Sequence, residues 1–140
     1  TTFNGNHVDA PSYLSVESGG SIEANRLKNL ENVQLFANSA TLNLPTVQTF
    51  TGVDDYVIEA SSEGKINLGV KAITGDVDVN AKGSKSTIKF PNLTTFNGNH
   101  VDAPSYLSVE SGGSIEANRL KNLENVQLFA NSATLNLPTV

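Results

Sequence analysis

Leu44-Pro45-Thr46-Val47-Gln48-Thr49-Phe50-Thr51-Gly52 and Phe90-Pro91-Asn92-Leu93-Thr94-Thr95-Phe96-Asn97-Gly98 are one pattern written twice. In each, an apolar residue precedes Pro, a second follows two places on, a Phe comes three residues later, and Gly lies two beyond it. Between the two copies, Leu68-Gly69-Val70-Lys71-Ala72-Ile73-Thr74-Gly75 repeats the pattern with Gly in the place of Pro and one residue fewer. A spacing of two between like residues is a strand spacing, because alternate side chains share a face.

Working outward, residues 1–47 recur unchanged as residues 94–140, and residues 48–93 stand once between them. The chain therefore holds one and a half copies of a 93-residue unit, and the pattern divides it into rungs at 1–27, 28–47, 48–70, 71–93, 94–120 and 121–140. Each rung carries apolar residues in three short sets. The first is Phe3, Leu30, Phe50, Ile73, Phe96 and Leu123. The second pairs Leu14 with Val16, Leu35 with Ala37, Ile58 with Ala60 and Val79 with Ala81. The third pairs Ile22 with Ala24, Leu42 with Leu44, Ile66 with Leu68 and Ile88 with Phe90. Gly, Ser, Asp, Asn and Pro cluster between the sets, so differences in rung length fall at corners.

These sets predict an all-β, parallel β-solenoid (β-helix) of about six rungs with a mean of about 23 residues each, three short strands to a rung. A single rung cannot bury its apolar face alone, whereas stacked rungs share one core and continuous backbone ladders. Residues 1–140 form a single continuous solenoid on this reading, with 1–93 as one full unit of four rungs and 94–140 as the first half of the next. Leu30, Phe50, Ile73 and Phe96 should form one buried vertical stack. Two rivals are weaker. A helix over residues 22–37 has a broken apolar face with Asn at 25, 29 and 32. A leucine-rich repeat fits Leu30-x-x-Val33-x-Leu35-x-x-Asn38 alone and leaves no room for a convex helix in residues 48–93.

Composition excludes several functions. Nine Lys and Arg against 14 Asp and Glu give a net charge of −5, scattered singly, so there is no basic stripe for nucleic acid. No apolar run nears the ~18 residues of a membrane-spanning helix. Cys is absent, so neither disulfides nor thiolate-bound metal hold the fold. The absence of Met points to an excised or processed chain, and no polar capping rung is visible.

The segment apolar-x-Leu-Pro-x-apolar-x-x-Phe-x-Gly over residues 42–52, matched by residues 88–98 with Phe before the Pro, together with the corner Glu17-Ser18-Gly19-Gly20-Ser21-Ile22, resembles the β-strand repeats of very large secreted or surface fibre and adhesin proteins of bacteria. The likeness spans the whole chain. Residues 28–47 depart from it, with Asn32 in the place of Gly and a shortened corner. The resemblance implies a fibrous, adhesive or envelope role outside the cell or on its surface, and brings no catalytic residues with it.

Candidate chemistry is sparse. Asp54-Asp55 and Asp76-Val77-Asp78-Val79-Asn80 are acidic, but alternation strings Asp76, Asp78 and Asn80 along one outer face, whereas calcium needs about six to eight converging oxygens. His7 and His100, beside Asp9 and Asp102, sit in the longest loop and are the places for a specific loop contact, though one rung supplies too few partners for a metal. Asn43 should stack on Asn67, and Lys89 should meet Glu116. Phe36 and Phe129 are sent outward by the alternation that sends Leu35 and Ala37 inward, which makes them candidates for lateral contact; the equal alternative is a local bulge that turns them inward.

The expected function is a non-enzymatic structural segment of an extracellular fibre, filament or adhesin stalk, with no catalytic, cofactor or metal residues. It would act by extension and by lateral or end-to-end association with further copies of the same repeat. The alternative is a carbohydrate-binding or carbohydrate-cleaving β-helix, with surface polysaccharide as partner. An ice-binding face would need a regular Thr ladder, and the outward Ser15, Phe36, Glu59 and Asn80 are too mixed.

Overall fold

The structure, a computed structural model, describes residues 1–5, 12–99 and 103–138, except for the side chains of residues 53–55. The first rung holds β1 (Thr2–Asn4), β2 (Ser12–Glu17) and β3 (Ser21–Glu23). The second holds β4 (Asn29–Glu31), β5 (Val33–Asn38) and β6 (Thr41–Leu44). In the third and fourth, β7 (Thr49–Ser61) is followed by β8 (Lys65–Leu68), and β9 (Ala72–Lys82) by β10 (Thr87–Lys89). The fifth has β11 (Thr95–Asn97), β12 (Ser105–Glu110) and β13 (Ser114–Glu116), and the sixth β14 (Asn122–Glu124), β15 (Val126–Asn131) and β16 (Thr134–Asn136).

Stacked rung on rung, these strands pair in parallel throughout. The first stack runs β1-β4-β7-β9-β11-β14, the third β3-β6-β8-β10-β13-β16, and the second β2-β5-β7-β9-β12-β15. The chain is thus a β-solenoid that passes each stack six times, with about five turns between first and last strands. No helix occurs among the described residues. Residues 22–37 contribute strands instead, and the described residues include no convex helical layer of a leucine-rich repeat.

The core follows from alternation. Register aligns Phe3, Leu30, Phe50, Ile73, Phe96 and Leu123 in one column, as the spacing predicts. Leu14, Leu35, Ile58, Val79, Leu107 and Leu128 form another, and Ile22, Leu42, Ile66, Ile88, Ile115 and Leu135 a third. Within the inner rungs these side chains are fully buried. Burial at about 25 cal/mol per Å² of apolar surface acts on all columns together, so ordering one rung is repaid only by its neighbours.

The expectation of three separate strands per rung fails in rungs three and four. There β7 and β9 run through both the first and second stacks, bending at Gly52 and Gly75, which lie opposite each other. Gly75 has φ of 105°, and a Cβ on it would strike the Gly52 carbonyl oxygen. A register irregularity between Gly52 and Tyr56 follows the bend, and Tyr56 is buried at the corner. The bend is also held from the next rung: the buried Ser105 hydroxyl donates to the Gly75 carbonyl (2.8 Å) and accepts from the Val77 amide (3.0 Å). In rungs two and six the corner between first and second stacks is made by Asn32 and Asn125 in the left-handed region, φ 55° and 54°. Asn tolerates that region better than other residues with a side chain, so Asn32, which breaks the sequence pattern, performs the turn Gly makes elsewhere.

Candidate functional site: the outward faces of the second and third stacks

Outward positions of the second stack are set by the same alternation that fills the core. Inward Leu35 and Ala37 leave Gln34, Phe36 and Asn38 outside, and Ser15, Phe36, Glu59, Asn80, Ser108 and Phe129 line up as one outward row. Phe36 therefore points away from the core, as its spacing predicts, and no local bulge turns it in. It rests against Tyr13 of the rung below, ring centroids 5.8 Å apart, and Phe129 rests in the same way against Tyr106 at 5.6 Å. Tyr13 is 55% exposed and Phe129 50%. Phe36 and Tyr106, with a rung on either side, are half-buried. The tyrosines escaped the sequence reading, although Ser12-Tyr13-Leu14-Ser15-Val16 carries the alternation that marks Tyr13 as outward. An aromatic pair, not a lone Phe, recurs once per unit.

Between the two pairs, in rungs three and four, the face turns acidic. Asp78 and Glu59 point outward while Val77, Val79 and Ile58 are buried, in agreement with the alternation read from residues 76–80. Lys82 meets Glu59 at 3.0 Å across the rungs. That carboxylate, by hydrogen bond and by charge, holds the Lys82 ammonium above its ordinary value of 10.5. A raised folded-state value means that the pair's stabilisation is complete below about pH 10.5 and fades as pH rises through the Lys82 value in the folded chain. Both groups are partly exposed, so the effect is small. The Glu59→Gln variant should melt slightly below wild type at about pH 8, and the difference should close at strongly alkaline pH. Thermal melts of both proteins across that range check this. A difference that persists unchanged would mean the pair contributes nothing through charge.

On the third stack the outward rows are Ser21, Thr41, Lys65, Thr87, Ser114 and Thr134, and Glu23, Asn43, Asn67, Lys89, Glu116 and Asn136. The expected amide ladder is present: Asn67 Nδ2 donates to Asn43 Oδ1 (2.9 Å), and Asn43 Nδ2 to Glu23 Oε1 (3.3 Å). Lys89 lies opposite Glu116, the neighbour predicted for it. On the first stack, Thr49 Oγ1 donates to Asn29 Oδ1 (2.7 Å) and Asn4 Nδ2 to Glu31 Oε2 (2.9 Å). Cross-rung pairs of this kind each contribute about 0.2 to 1 kcal/mol.

His7 and His100, with Asp9 and Asp102, lie outside the described residues, and so do the side chains of Asp54 and Asp55. Among the described residues no group of three or more His, Asp or Glu converges to hold a metal ion.

Comparison of the chain with protein-family models, with curated proteins and with solved structures found no match. The functional reading therefore rests on the geometry of the repeat itself.

Proposed function

We propose that this chain is a structural repeat segment of an extracellular or cell-surface fibre, filament or adhesin stalk. It works by extension, and by lateral and end-to-end association with further copies of the same repeat. The observation that carries the proposal is the equivalence of the two sequence copies. Phe3 pairs with Leu30 as Phe96 pairs with Leu123, Leu14 with Leu35 as Leu107 with Leu128, and Ile22 with Leu42 as Ile115 with Leu135. Identical interfaces repeat at the unit spacing, so units can be added without any new contact being designed. At about 4.8 Å per rung, four rungs extend the axis by about 19 Å. Several outward polar groups of the first and third stacks are engaged in ladders between rungs, which favours stiffness over chemistry.

Electron microscopy with diffraction from the assembled chain tests this. Filaments with an axial repeat near ~19 Å, and a strong ~4.8 Å spacing along the axis, are expected. A stable, discrete monomer of the 140-residue chain over a wide concentration range would count against the fibre. Turnover of a polysaccharide, abolished by substituting Asp54 or Asp76, would replace it with an enzyme.

A further inference from the structure

The second and third stacks carry opposite charge at the same height. In rungs three and four the outward side chains of the second stack include Glu59 and Asp78, with Lys82 already engaged by Glu59. In those same two rungs the third stack presents Lys65 and Lys89, both exposed, beside a shallow groove that also includes Thr41, Asn67 and Thr87. In rungs one and two the second stack offers Tyr13 and Phe36, while the third offers Ser21 and Thr41, short side chains that leave room for projecting rings.

We infer that solenoids associate side by side with parallel axes and rungs level, the second stack of one copy against the third stack of the next. The partner is a second copy of this chain, so the inference rests on the fibre reading and specifies its lateral contact. Level packing places Asp78 and Glu59 near Lys65 and Lys89 and the Tyr13–Phe36 pair over Ser21 and Thr41. Because both faces belong to the same unit, the match recurs at every unit along the axis. The level alternative, second stack against second stack, would set Asp78 and Glu59 against their own copies, and like charges across an interface suppress that pairing. A contact between two different faces leaves each partner's other face unused, so association continues past the dimer, into a ring where the rotation between copies closes and into open sheets or bundles where it does not.

Charge exchange tests the contact. Lys65→Glu and Asp78→Lys should each lower the laterally associated fraction of the 140-residue chain, measured by sedimentation and by bundle width in micrographs, by about tenfold. Lys89→Glu should act like Lys65→Glu. The double variant Lys65→Glu/Asp78→Lys should restore most of the association. Asp78→Lys makes a chain of net charge −5 less negative, so general repulsion alone would raise association, and a fall identifies a specific contact. Circular dichroism of each variant confirms the fold. Single variants that bundle like wild type, or a double variant no better than either single, would overturn the contact. Axial filaments that remain single in wild type would also overturn it while leaving the fibre standing. Lateral association that obeys the charge exchange without any ~19 Å axial repeat would sink the fibre and leave the contact.

Discussion

Replacing Phe50 by Ala should destabilise the chain by about 3 to 5 kcal/mol, the range for removing a buried aromatic side chain from a packed core. Phe50 is fully buried between Leu30 below and Ile73 above, and the strand that carries it is shared by the first and second stacks. Rungs on both sides are fixed by their own ladders, so the cavity cannot collapse without breaking parallel pairing. Urea unfolding followed by circular dichroism measures the loss. The two sequence copies supply an internal control. Phe96 is fully buried, whereas its copy Phe3, in the first rung, is only partly so. Phe96→Ala should therefore approach Phe50→Ala, and Phe3→Ala should cost roughly half as much or less. Equal losses at Phe3 and Phe96, or no loss at Phe50, would show that the vertical stack is wrongly placed.

A second large effect is expected at Gly75, where Ala should cost about 3 kcal/mol or more. Two penalties add there. The backbone lies at φ of 105°, where a side chain is strained, and the new Cβ would strike the carbonyl oxygen of Gly52 in the rung below. That oxygen belongs to the backbone at a bend, so it cannot swing away as a side chain would. Gly19 separates the two penalties. Its φ is 80°, but nothing lies within 4 Å of an added Cβ. Gly19→Ala should therefore cost only the strain, about 1 to 2 kcal/mol. Denaturation of both variants beside wild type provides the comparison. A Gly75→Ala loss no greater than that at Gly19 would mean that the rungs are not in close contact at this corner.

These expectations connect the core to the proposed fibre role, because a solenoid would transmit load only as far as its rungs remain stacked. The aromatic pairs and the level charges lie on strands whose inner faces are the same columns. Lateral geometry is therefore as regular as the core beneath it.

Much of this was legible in the sequence. Period-two pairs such as Leu35 and Ala37 define strands, their recurrence at rung spacing defines the stacks, and the alternation that buries Leu35 exposes Phe36. The exact copy of residues 1–47 at 94–140 determines that equivalent rungs recur. Other features depend on neighbours remote in sequence. That Tyr13 touches Phe36 follows from a rung offset and a diagonal between strands, and that Asn32 substitutes for Gly appears only in the backbone angle at the corner. The merging of two strands into β7 and into β9 depends on Gly52 and Gly75 meeting across rungs, with Ser105 bonding the bend from a rung later. Leu35 and Leu128 mark the division most clearly: the same residue in the same 47-residue copy is 0% exposed in one place and 46% in the other. Sequence by itself determined which side chains face inward, since that is a property of strand alternation. Only the tertiary structure decided how deeply each is buried, because burial in a solenoid is conferred by the rung above and the rung below.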